Sequence, residues 1–68
     1  MTTTTARTAD VIAAKSVAMY LEWLGEGLSQ DLAQESALAN LAAGSELRGE
    51  DRAANVAIGT AAIQEFRA

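Results

Sequence analysis

Residues Tyr20 to Leu28 read YLEWLGEGL. The stretch holds the only Tyr and the only Trp of the chain and two of its five glycines. Its first half carries the apolar spacing of a helix, and its second half ends that helix. With Gly27 as the left-handed residue just past the helix end, Leu28 follows it and Trp23 is the residue that Leu28 should meet. That is the hydrophobic contact of a Schellman motif. With Gly25 in the same role, Glu26 takes the place of Leu28 and offers no apolar contact. LGEGL therefore reads as a helix stop. Ser29 is a good N-cap for a second helix, with Asp31 in its first turn. One helix ends and another begins within a few residues, so the chain folds back on itself here.

Upstream, Thr8 is an acceptable N-cap and Asp10 suits the positive end of the helix dipole. The first helix is expected over about 9–26. At 100° per residue, Val17, Tyr20, Leu21, Leu24 and Leu28 form one apolar stripe, and Ile12, Ser16, Met19 and Trp23 form a second beside it. Lys15, Glu22 and Glu26 share a narrow polar face. The two stripes cover a wider arc than a helix with a single neighbour needs. Residues 1–7, rich in threonine, read as a flexible arm without apolar pattern.

Downstream, the second helix is expected over about 30–43, with Gly44 as its stop and SELRG (Ser45 to Gly49) as a connector. Its leucines are spread among alanines, which let neighbouring helices approach closely. The third helix is expected over about 50–66, with Glu50 and Asp51 in its first turn. Val56, Ile58, Ile63 and Phe66 lie on one face with Gly59 near its centre. A mid-helix glycine costs about 1 kcal/mol against alanine. A close helix approach over a groove of Asn55, Gly59 and Ala62 would compensate it. The fold class is all-α: one domain over 8–68, a small bundle of three short helices, open to completion by oligomerisation. Leu21, Leu24, Leu28, Val56, Ile58, Gly59, Ile63 and Phe66 are the expected helix-packing residues.

Composition narrows the function. The chain has 68 residues, half of them hydrophobic, with no Pro, Cys or His. Without Cys there are no disulfides or thiolate metal sites. Without His the commonest metal ligand and general base are missing. Lys15 is the only lysine, no catalytic set or phosphate loop is present, and neither a cofactor nor a metal is expected. The carboxylates of Glu22 and Glu26 read as a solvated face rather than an acid–base pair, so no enzyme activity is expected. Nine acidic against five basic residues give a net charge of −4, which disfavours direct nucleic-acid binding and anionic membranes. No run reaches the ~18 apolar residues of a membrane span. MTTTTARTA lacks the apolar core of a signal peptide, and a cytoplasmic location is expected.

Binding is the remaining class. Between Leu21 and Asp51 stand seven acidic residues and only Arg48 to offset them. Glu22 and Glu26, like charges one turn apart, mildly destabilise an isolated helix. Trp is a favoured interface anchor. Met19, Glu22, Trp23, Glu26, Asp31 and Glu35 are therefore the candidate partner-binding residues, facing a protein with a basic surface. In length, acidity and lack of catalytic side chains the chain resembles the small acidic helical proteins that phages encode to disable host systems, anti-CRISPR proteins among them. No motif carries that resemblance; it implies an inhibitor or regulator that occupies a basic, even nucleic-acid-binding, surface of its partner. The alternative is a self-assembling helical module, a homodimer using the surplus stripe of Ile12, Met19 and Trp23.

Overall fold

A computed structural model describes residues 7–68. Three helices follow in order, α1 (Ala9–Gly25), α2 (Gln30–Arg48) and α3 (Arg52–Arg67), all packed on one another. No strand is present among the described residues. Apart from Arg7, the arm expected over 1–7 lies outside the described residues.

Each helix opens on a side-chain cap. Thr8 Oγ1 accepts from Val11 N–H, Ser29 Oγ from Leu32 N–H, and Asp51 Oδ1 from Ala54 N–H. Such caps satisfy amide groups that the helix itself leaves unpaired. Asp51 is thus the cap of α3, and Glu50 precedes it, so neither lies in the first turn as expected.

The end of α1 is the Schellman motif read from the sequence. Gly27 has φ 99°, Gly27 N–H donates to Leu24 O at 3.0 Å, and Leu28 N–H donates to Trp23 O at 3.3 Å. The end of α2 differs from expectation. The helix runs through Gly44 and Ser45 and stops at Gly49, which has φ 71°. Gly49 N–H donates to Glu46 O at 3.1 Å and Glu50 N–H to Ser45 O at 2.9 Å, a second Schellman motif. The expected connector SELRG is therefore the last turn of α2 and its cap. Gly44 is helical, and a Cβ built on it meets nothing within 4 Å.

The topology is up–down–up. α1 and α3 start at the same end, where Arg7 meets Glu50, and α2 runs against both, its first turn meeting the end of α3 through Asp31 and Arg67. Burial follows a four-residue step on every helix: Ile12, Ser16 and Tyr20; Ala33, Ala37, Leu41 and Ser45; Asn55, Gly59 and Ile63. Residues four apart form one ridge of a helix surface. Large and small side chains alternate between levels. Tyr20, Ala33, Ala37 and Ile63 form the main apolar cluster, with Met19, Trp23, Leu24, Leu28 and Leu38 packed against it. One level up, Gly59 faces both other helices. A Cβ there would stand 2.6 Å from Leu41 Cδ2, 2.7 Å from Ser16 Oγ and 3.1 Å from Leu38 Cδ2.

Two expected packing residues, and one assigned to an interface, behave differently. Leu21 is 45% exposed and lies on the flank of the bundle, whereas Val17, one turn before it, packs against the core cluster. Phe66 is 52% exposed and meets Tyr20 edge-on, with ring centroids 6.1 Å apart. Ile12, assigned to the surplus stripe, is buried. The centre of the buried arc of α1 is Ile12, Ser16 and Tyr20, which splits the two sequence stripes between the α2 and α3 sides.

Candidate functional site

The arrangement of the candidate residues follows from which groove each borders. Glu22, Trp23, Gly25 and Glu26 line one shallow depression at the end of α1. Trp23 is half-buried, its apolar body packed on the core cluster while part of the ring stays accessible. Glu22 and Glu26 are exposed one turn apart and line the same depression. Among the described residues, no cation lies within ion-pair distance of either carboxylate. Met19 is half-buried and joins Glu22 in the neighbouring groove between α1 and α2.

Asp31 and Glu35 do not belong to this surface. Both line the groove between α2 and α3, on the opposite side of α2. Asp31 is also engaged within the chain: Arg67 Nη2 donates to its Oδ1 at 3.0 Å, and Arg67 Nη1 donates to Gln34 Oε1 at 2.6 Å. These contacts are exposed, and such pairs contribute about 0–1 kcal/mol. They still tie the end of α3 to the start of α2. Of the six candidate residues, four thus share one region at the end of α1, and two stand apart.

The α1–α2 groove has a second character. Arg7, Lys15 and Arg48 border it, three of the five basic residues of the chain. Glu22 borders the same groove, which thus joins basic and acidic side chains.

A polar cluster that the sequence did not disclose sits at the Arg7 end. Arg7 Nη2 donates to Glu50 Oε1 at 2.6 Å, and Arg7 Nε lies 3.2 Å from both carboxylate oxygens. Asn55 Nδ2 donates to Glu50 Oε1 at 3.1 Å and to Ser45 Oγ at 3.0 Å, and Ser45 Oγ donates to Leu41 O at 2.8 Å. The Schellman motif at Gly49 brings Ser45 and Glu50 together, and Asn55 bridges them. The hydrogen bonds from Arg7 hold the Glu50 carboxyl below its ordinary range against the opposing effect of burial, with the charges of Arg7 and Arg48 adding to it. No buried side-chain nitrogen or oxygen among the described residues lacks a partner. Arg7, assigned by sequence to the arm, is thus a bundle residue. The cluster's hydrogen bonds and charges are spent on one another, which marks it as structural.

Among the described residues, no group of three or more acidic, His or Cys side chains is placed to hold a metal ion. No helix there is long and apolar enough to cross a membrane. No family model matches the chain, and no curated protein or solved structure matches it either.

Proposed function

We propose that the protein is a binding module that acts as an inhibitor or regulator by seating the end of α1 on a basic surface of another protein. The observation that carries this reading is the placing of half-buried Trp23 beside two exposed carboxylates, Glu22 and Glu26, without ion partners among the described residues. An aromatic anchor with an accessible edge supplies contact area at little entropic cost. Like charges beside it steer a cationic surface towards it and reject acidic ones. Met19 adds an adaptable apolar contact at the rim. Asp31 and Glu35, on the far side of α2, contribute to the long-range field rather than to the contact.

The test is affinity capture with wild-type protein and with the Glu22→Lys/Glu26→Lys double variant, followed by titration of the captured partner against both. Both positions are exposed, so the variant should keep its helical circular dichroism. The expected result is a salt-sensitive wild-type affinity that the double variant loses by at least tenfold. Equal affinity of the two proteins for the same partner would refute the acidic epitope.

A further inference from the structure

The outward side of α1 carries an inference that goes beyond the acidic epitope and does not rest on it. Ile12, Ser16 and Tyr20 mark the buried side of the helix. At 100° per residue the opposite side is Val11, Ala14, Ala18, Leu21 and Gly25. All five are exposed, Val11 at 41% and Leu21 at 45%. A helix packed on a core places charged and polar side chains on that side; α1 places none. The five positions also alternate steps of three and four residues, the spacing of a coiled-coil seam. They form the crest of α1 between two grooves, with Ala14 bordering the α1–α3 groove and Ala18 the α1–α2 groove. On the α3 flank of the crest stand Asp10, in the first turn, and Glu65, which lines its groove from α3.

The charges of the α2 flank decide what covers this crest. Lys15 stands two turns before Glu22, and Glu26 one turn after it, all three within about 40° on the helix. Arg48, at the end of α2, lies where α1 starts, since Glu50 just past it meets Arg7. Among the described residues none of these four side chains is ion-paired. Followed from the start of α1, the flank thus presents cations and then carboxylates. Turned end for end it presents carboxylates and then cations, and is its own electrostatic complement.

We propose that α1 packs crest to crest and antiparallel on α1 of a second copy of the chain, with Lys15 of each copy facing Glu22 of the other. Positions 15 and 22 are equidistant from a point between Ala18 and Met19, so one two-fold axis at that point forms both pairs at once. The seam spacing calls for a helix as partner, and Ala18 at the axis lets two backbones approach closely. The charge order calls for a partner helix that runs the other way with the same pattern. A second α1 meets each requirement. Asp10 and Glu65, on the other flank, stay at the solvated rim of such a contact.

The test is solution mass by sedimentation equilibrium of the full chain, from about 1 μM to about 1 mM, the range in which small interfaces associate. Wild type is compared with Lys15→Glu, with Glu22→Lys, and with an equimolar mixture of these two variants. Glu35→Lys, the same change of charge on the far side of α2, is the control. All three positions are exposed, and helical circular dichroism checks that each variant is folded. The expected result is a wild-type dimer that either variant weakens at least about tenfold, because one reversal turns two attractions into two repulsions. Mixing the two variants should restore the dimer, since each changed side chain then meets its opposite. Glu22→Lys lowers the net negative charge, so general repulsion alone predicts tighter association where the pairing predicts weaker. Lys15→Glu keeps Glu22, Trp23 and Glu26, so its result is independent of whether the acidic epitope holds. A wild-type monomer over the whole range overturns the proposal. So do single variants that dimerise as well as wild type, a mixture no tighter than its components, or a control as weak as Glu22→Lys.

Discussion

The bundle contains two mid-helix glycines in opposite surroundings, and substituting each with alanine measures how tightly the helices meet. Both replacements gain about 1 kcal/mol of helix propensity. At Gly44 a Cβ meets nothing within 4 Å, so Gly44→Ala should stabilise the protein by about that amount. At Gly59 the same atom would stand 2.6 Å from Leu41 Cδ2 and 2.7 Å from Ser16 Oγ. Neither neighbour yields easily. Leu41 and Ser16 are both buried, and the Ser16 hydroxyl is held by its 2.7 Å bond to Ile12 O. Overpacking of this kind costs about 1–3 kcal/mol, which offsets or exceeds the propensity gain. The propensity gain cancels between the two variants, so their difference isolates the steric cost. In a domain of this size 1 kcal/mol corresponds to about 4–8 °C in Tm. Gly44→Ala should therefore melt at least about 4 °C above Gly59→Ala, read by far-UV circular dichroism at one fixed protein concentration. Equal melting temperatures would refute the close approach of α3 to α1 and α2 at Gly59.

Three further outcomes follow from the geometry. Glu50 has its carboxyl pKa lowered by Arg7, so the stability this contributes is complete above glutamate's ordinary value of 4.5 and is lost as the pH falls through the lower folded value. Melting temperature should consequently fall more steeply below pH 4.5 in the wild type than in Glu50→Gln; parallel curves would contradict the Arg7–Glu50 contact. At the α1–α2 turn, Gly27→Ala places a side chain at φ 99° and should cost about 1–2 kcal/mol in urea denaturation. Gly25→Ala, with open space and helical backbone, should cost nothing there. Tyr20→Ala removes the largest buried side chain; a cost of about 3–5 kcal/mol is comparable to the ~3–10 kcal/mol that stabilises a chain of this length. Partial loss of helical signal at ambient temperature is the expected readout.

The helix count, the α1–α2 turn and the importance of Gly59 were legible in the sequence because each rests on local chemistry. The Trp23–Leu28 pair distinguishes Gly27 from Gly25 as the stop. No such pair exists for α2: Gly44 would be followed by Ser45, and Gly49 by Glu50, so the hydrophobic criterion is silent. A usable signal was present nonetheless. The four-residue step from Ala33 through Ala37 and Leu41 lands on Ser45, which continues the buried ridge past Gly44. The division of the apolar arc of α1 was not legible, because two adjacent stripes fix its width but not which part meets which neighbour. That depends on where α3 returns, and so the sequence placed Ile12 at an interface and Leu21 in packing, whereas the bundle buries Ile12 and leaves Leu21 exposed. The acidic residues of α2 were grouped with those of α1 by proximity along the chain, and only the helical phase of α2 shows that Asp31 and Glu35 face the other way.

The polar cluster of Arg7, Glu50, Asn55 and Ser45 has a consequence for how the helices find their alignment. A slide of α3 past its neighbours by a single turn would bring Asn55 or Ile63 to the level where Gly59 leaves no room for a Cβ, and sterics alone already oppose it. Such a slide of α3 by about 5.4 Å would carry Asn55 away from both Ser45 and Glu50. Each polar group then left buried without a partner costs about 1–3 kcal/mol. The buried polar level thus acts as an index mark, the role that one buried Asn performs in setting the alignment of coiled coils. The cluster at one end and the close approach at Gly59 in the middle select the same alignment of α3.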